Sequence, residues 1–224
     1  MVMVVAIDGP AGAGKSSVAK AVAERAGLML VDTGAIYRSV AYVGLREGIS
    51  VDDAKSLADI ARALRFRFET TASGNRVFVD EEDVSEKIRA REVALAASRV
   101  SRHPPVREAL LDVQRSLGKV GAGAVLEGRD IGTVVFPDAH VKVFLTASAE
   151  ERARRRALEL ETTGQVAPYA VILDEIRRRD KADMEREVAP LVQASDAVLV
   201  DSSYLTEREV IDRIVGLIND ARIA

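Results

Sequence analysis

The sequence predicts an α/β protein built on a five-stranded parallel sheet flanked by helices, and three observations lead there. Short apolar runs rich in β-branched residues recur along the 224 residues, helical patterns separate them, and a glycine-rich loop joins the first run to the first helix. Runs that are apolar throughout, with no alternation, are the pattern of strands covered on both faces. They lie at 2–7 (VMVVAI), 28–31 (LMLV), 124–126 (AVL), 141–145 (VKVFL) and 197–200 (AVLV).

The first helix is KSSVAKAVAERA, directly after the glycine-rich loop. Ser148 with Glu151, and Thr206 with Glu209, fit capping boxes and place helices near 149–162 and 207–221. Two segments break the alternation. RFRFETTASGNRVFVD (65–80) has period-two patterning around an Ala-Ser-Gly-Asn turn and predicts an antiparallel hairpin. The arginine-rich stretch 152–186 predicts two helices joined by a polar loop at 162–168. A chain of this length holds one main domain with insertions. The core is therefore 1–32, 99–150 and 187–224, with excursions at 33–98 and 151–186.

Apolar residues make up 48% and charged residues 30%, without low-complexity tracts, which excludes a disordered or fibrous chain. With no cysteine there are no disulfides, thiol nucleophiles or zinc–thiolate sites, and His103 and His140 are too far apart in sequence to suggest a metal pair. Net charge is -3, but arginine outnumbers lysine, and arginine favours bidentate contact with phosphates and carboxylates. The opening MVMVVAI has no basic start and is too short for a membrane span or signal region, so a cytoplasmic protein is expected.

GPAGAGKS (9–16) matches G-x-x-x-x-G-K-[ST] in the context its mechanism requires, after a buried strand and before a helix. Its backbone N–H groups can turn toward one anion, the helix N-terminus adds its positive end, and Lys15 can reach β- and γ-phosphates. Gly9, Pro10, Ala11, Gly12, Ala13, Gly14, Lys15, Ser16 and Ser17 are thus the expected binding residues for a nucleoside triphosphate, and the loop alone does not say what is done with it. Ser16 is the expected Mg²⁺ ligand, with Ser17 as the second hydroxyl available. The bland alternative is a glycine-rich turn that binds nothing.

Such a loop serves switches, motors and kinases alike. The Asn-Lys-x-Asp element of guanine-selective switches is absent, the nearest string being RDKAD (179–183), and AVLEGRD (124–130) lacks the paired acids of ring ATPases. A kinase remains, and it needs cations to offset repulsion between donor and acceptor phosphates. Arg38, Arg107, Arg129, Arg179 and Arg186 are candidates. Singly, each is the ordinary solvated kind. Arg129, however, follows a buried strand immediately, where open α/β sheets place their ligand crevice.

VAIDGPAGAGKSS, VDTGAIYR, GRDIGTVVFPDA and RRRDKADMEREVAPL, taken in order, resemble the cytidylate kinases of bacteria, within the nucleoside monophosphate (NMP) kinase family. The resemblance implies a P-loop core, an NMP-binding insertion (33–98) and a helical lid (151–186). It implies ATP-dependent, Mg²⁺-dependent phosphorylation of CMP and dCMP by a monomer, without nucleic-acid or membrane partners. Thr33, Arg38, Arg129 and Arg186 would contact the acceptor phosphate, with Lys15, Arg129 and Arg186 the catalytic cations. Ser98, Arg107 and Asp130 would face cytosine, Arg179 and Asp183 the ribose, and Tyr37 would line the pocket. A carboxylate and a cation complement the N4 donor and the N3 and O2 acceptors of cytosine. Read without the resemblance, Asp130 could instead cap a helix or pair with Arg129.

Two rivals follow from the residues. A kinase for a hydroxyl-bearing metabolite would want a base, and Asp32 could serve. An RNA-binding protein could use 152–186, although acids interrupt that segment throughout.

Overall fold

The computed structural model describes residues 2–71, 74–162 and 164–223. The chain runs β1 (Met3–Asp8), α1 (Lys15–Ala26), β2 (Met29–Asp32), α2 (Thr33–Arg46), α3 (Ala54–Ala63), β3 (Phe66–Thr71), β4 (Gly74–Val79) and β5 (Glu82–Asp83). It continues with α4 (Arg91–Val100), α5 (Pro104–Leu117), β6 (Gly123–Gly128), a π turn (Ile131–Val135), β7 (Val141–Thr146), α6 (Ala149–Thr162), α7 (Tyr169–Met184), β8 (Val198–Asp201) and α8 (Glu207–Ile223).

The five apolar runs form one parallel sheet in the order β2-β6-β1-β7-β8. β1 is central, with Val5 beside Val125 on one side and Val141 on the other. All six of its residues are buried, which is why the run shows no alternation. On one face α1 and α8 pack through Val18, Val22, Ile214 and Ile218 against Val5 and Ile7. On the other face Ile36 and Val40 of α2, Leu110 of α5 and Phe68 of β3 join Ala6 and Leu126 in a single apolar cluster. Strands β1, β2 and β6 all end at the same edge, and the chain leaves each through a polar segment there. This edge is where the site forms.

The hairpin expected at 65–80 is present as β3 and β4, paired from Phe66↔Val79 to Thr71↔Gly74. Part of its expected turn, Ala72 and Ser73, lies outside the described residues. A third strand, β5, was not anticipated. It is reached through a two-residue turn in which Asp80 and Glu81 have φ of 47° and 71°, the type I′ geometry normally signalled by Asn-Gly. Arg65 N–H donates to Asp80 Oδ1 at 3.0 Å and helps hold it.

The capping box at Thr206 is complete: Glu209 N–H donates to Thr206 Oγ1 (3.3 Å), and Glu209 Oε2 accepts from Thr206 N–H (2.8 Å). At Ser148 only half forms. Its hydroxyl accepts from Glu151 N–H at 3.1 Å, but the Glu151 carboxylate takes Arg154 and Arg155 instead, and Ser148 N–H donates to Ser203. Two arginines a helical turn away outcompete one backbone N–H for a carboxylate. Helices α6 and α7 pair through a small core of their own, Ala153, Ile172 and Ile176. No helix among the described residues is long and apolar enough to cross a membrane.

Candidate active site

At the end of β1 the chain turns into α1. Gly9 passes so close to β7 that a Cβ would lie 1.9 Å from the Leu145 carbonyl oxygen, and Gly14 caps α1 at φ 86°, so both positions require glycine. Lys15 is buried and its Nζ donates to the Pro10 carbonyl at 2.7 Å. Burial, reinforced by Arg129, lowers its pKa; burial, reinforced by Asp32, raises that of Glu127 at the end of β6. The Ser17 hydroxyl donates to Gly14 O at 3.1 Å, whereas Ser16 lies beside Glu127 and helps its charged form. Ala11, Gly12, Gly14, Lys15, Ser16 and Ser17 line the cleft, while Gly9, Pro10 and Ala13 shape the loop behind it.

The wall expected to take the acceptor begins at DTGAIYR. Asp32 caps α2, its Oδ1 accepting from Ala35 N–H at 2.9 Å, and its Oδ2 accepts from Arg38 at 2.6 Å. Arg38 Nε stays buried without an acceptor among the described residues. The Thr33 hydroxyl donates to the Glu127 carbonyl at 2.7 Å, tying α2 to β6. The Tyr37 ring lies 5.4 Å from the Arg107 guanidinium.

Deeper in, Asp130 is the hub. One carboxylate oxygen pairs with Arg107, the other accepts from Arg186 at 3.2 Å, and all three side chains are nearly inaccessible. Asp130 occupies the N-cap position of the π turn, yet its side chain caps nothing. The capping and Arg129-pairing alternatives are therefore both set aside. Arg129 turns the other way, its Nε donating to Asp183 Oδ2 at 2.8 Å. Ser98, on α4, lines the same wall, as do Ala94, Ala97 and Ser101. Arg179 projects from α7 into the mouth. Crowding by the cleft walls, then Arg129, lowers its pKa, although the mouth leaves the residue exposed to solvent.

These residues share one cleft of about 520 Å³, and every expected acceptor-side residue lines it: Thr33, Tyr37, Arg38, Ser98, Arg107, Arg129, Asp130, Arg179, Asp183 and Arg186. Glu127 and Arg152 also line it but were not assigned from sequence. Arg152 is buried and forks onto Asp180 (2.7 and 3.0 Å) while bonding the Ala11 carbonyl (3.0 Å), so it joins the helical hairpin to the phosphate loop. Its partners are 28 and 141 residues away, beyond any local pattern. Glu127 did leave a signal, as an acid ending an apolar run. Asp8 left the same signal; it is buried behind the cleft. Among the described residues no three His, Cys, Asp or Glu side chains form a metal cage. A divalent ion held at Ser16 would need further oxygens from the nucleotide, as Mg²⁺ commonly does.

A parallel sheet with a phosphate loop after its central strand, and a second, cation-lined lobe opposite that loop, defines a P-loop kinase. The family model described as cytidylate kinase matches residues 5–220. A cytidylate kinase of Geobacter sp. (strain M21) is 51% identical over 210 residues, 94% of this chain and 90% of that protein. One from Exiguobacterium sp. (strain ATCC BAA-1283 / AT1b) is 49% identical over 218 residues, 97% of both chains. The chain belongs to the cytidylate kinase family. Among solved structures, an uncharacterized protein from Eubacterium ventriosum ATCC 27560 superposes with TM-score 0.54 at 14% identity, covering 97% of this chain and 98% of that one, a likeness of fold alone.

Proposed function

We propose that this protein transfers the γ-phosphoryl group of ATP to the 5′-phosphate of CMP or dCMP, yielding ADP and CDP or dCDP. The observation that carries the proposal is the single cleft in which Lys15 and the phosphate loop face a buried carboxylate, Asp130, held between Arg107 and Arg186. Residues 33–98 act as the NMP-binding insertion and 151–186 as the lid. The loop and Lys15 hold the ATP phosphates. Arg38, Arg129 and Arg186 draw in the acceptor phosphate, and the unsatisfied Nε of Arg38 is one donor awaiting an oxygen. Asp130 and Arg107, with Ser98, read cytosine; uracil would set its O4 against the buried carboxylate. Arg179 and Asp183 take the ribose, for which Asp183 must release Arg129.

The hard oxygens at Ser16 and Glu127 fit Mg²⁺, which when bound would neutralise charge on the β- and γ-phosphates. Ser16 is the better hydroxyl, because that of Ser17 already serves Gly14. The acceptor phosphate, with a second pKa of ~6, is largely ionised at neutral pH, so no general base is needed. This fits Asp32, whose two oxygens are occupied by the helix cap and Arg38. The RNA alternative is disfavoured because arginines of 152–186 pair with neighbouring acids: Arg154 and Arg155 with Glu151, Arg156 with Glu159, Arg177 with Glu150, Arg178 with Asp174. A coupled ADP-release assay with CMP, dCMP, UMP, AMP and no acceptor tests the proposal. Rapid release with CMP and dCMP alone is expected, and equal release with AMP or without acceptor would reject it.

A further inference from the structure

Asp8 is a buried carboxylate to which the mechanism gives no part. It closes β1, immediately before the phosphate loop, yet its oxygens point sideways to the chain leaving β6. Oδ1 accepts from Ile131 N–H at 2.8 Å and Oδ2 from Gly132 N–H at 2.7 Å. Those are the first two N–H groups of the π turn, which have no partner within the turn. Asp130, at the N-cap position, is the residue type that ordinarily satisfies such groups with its own side chain. Here it does not, and its carboxylate instead holds Arg107 and Arg186.

We infer that Asp8 is a positioning residue for acceptor selection: by capping the π turn from a neighbouring strand, it frees the Asp130 side chain to face the cleft. The inference rests on the assignment of Asp130 to the acceptor base. The arrangement is costly and therefore informative. Asp8 sits near Asp130, burial dominates its environment, and its pKa is pushed up to about 6, so the fold keeps a carboxylate where its charge is disfavoured. The space around the cap is equally specific, since a Cβ at Gly132 would stand 3.3 Å from Lys142 Cδ and 3.4 Å from Asp8 Oδ2.

Without Asp8, two buried N–H groups lose their acceptors, and the nearest replacement is the side chain of Asp130 rotating back to its N-cap duty. Asp8→Asn does this in part, because an amide offers one acceptor and sets its NH₂ against the other N–H. The cleft would then lose the fixed carboxylate that separates cytosine from uracil, while the phosphate loop stays intact.

The test is the ratio of kcat/KM for CMP to that for UMP, in the native protein, Asp8→Asn, Asp130→Asn and the double variant. Expected for Asp8→Asn is a fall in that ratio of about tenfold or more, with KM for ATP within about threefold of native. The fall should be strongly non-additive with that of Asp130→Asn, since one residue acts through the other. A native protein that does not prefer CMP would overturn the base assignment itself. A native preference that Asp8→Asn retains, or a loss additive with that of Asp130→Asn, would overturn the role of Asp8 and leave the base assignment standing. If Asp8→Asn does not fold, Gly132→Ala crowds the same cap; it should lower the ratio in the same direction, and an unchanged ratio there counts against the inference.

Discussion

Replacing Asp130 with Asn probes the acceptor pocket most sharply. Both carboxylate oxygens are engaged, one by Arg107 and one by Arg186, and the side chains of all three residues are at most 8% exposed. An amide keeps one acceptor and presents NH₂ to the other guanidinium, leaving two buried cations with no counter-charge between them. Removing one partner of a buried ion pair costs about 3–5 kcal/mol, and the retained acceptor argues for the lower end. At about 2–4 °C per kcal/mol for a domain of this size, Tm should fall by roughly 6–12 °C. The amide NH₂ can also donate to uracil O4, where the carboxylate could not. Loss of a charge-assisted hydrogen bond worth about 1.5–3 kcal/mol should cut the preference for CMP over UMP by about 10- to 100-fold. Calorimetry and kcat/KM for both nucleotides measure the two effects. Retained CMP preference together with a Tm within about 1 °C of native would refute the reasoning.

Arg38→Ala and Arg129→Ala should each lower kcat/KM for CMP at least about tenfold, the scale of one lost charged contact to phosphate, and full activity in both would exclude the clamp. Lys15→Met should abolish ADP formation in the coupled assay while leaving Tm unchanged or higher, because burial disfavours the ammonium; a large drop in Tm would contradict that. Asp8 has a folded pKa of about 6 against 3.8 unfolded, so its contribution is full below pH 3.8 and is lost as pH rises through 6. Melts at pH 4 and 7 should accordingly show the stability difference between native and Asp8→Asn shifting by a few kcal/mol toward the variant at pH 7. Arg152→Ala should raise KM for ATP and speed hydrogen exchange in 151–186, since it cuts the hairpin from the Ala11 carbonyl.

Much of this architecture was legible because its signals are local. Strands covered on both faces write themselves as unbroken apolar runs, and the phosphate loop carries its glycines in sequence. The strand β5 escaped because its turn is Asp80-Glu81: aspartate tolerates positive φ, but the second place, normally glycine, is filled by a glutamate that does not advertise it. The Ser148 box was half right because a motif cannot show that Arg154 and Arg155 compete for the same carboxylate. On the site, five arginines (Arg38, Arg107, Arg129, Arg179 and Arg186) were candidates because a kinase needs cations, the resemblance supplied the other residues and the individual roles, and the structure brings them all to one cleft. What no local pattern could supply was who pairs with whom. Asp130, which read without the resemblance could have been a cap, is the hub, while Asp8, on a strand more than a hundred residues earlier, does the capping.

The central claim is that the loop and the arginine-lined lobe pass one phosphoryl group between two nucleotides. Phosphorus NMR of a mixture of ATP, CMP, Mg²⁺ and protein tests it most directly. CDP should appear in step with ADP, one for one, without free phosphate. ADP accumulating with inorganic phosphate, and no new diphosphate on CMP, would contradict it.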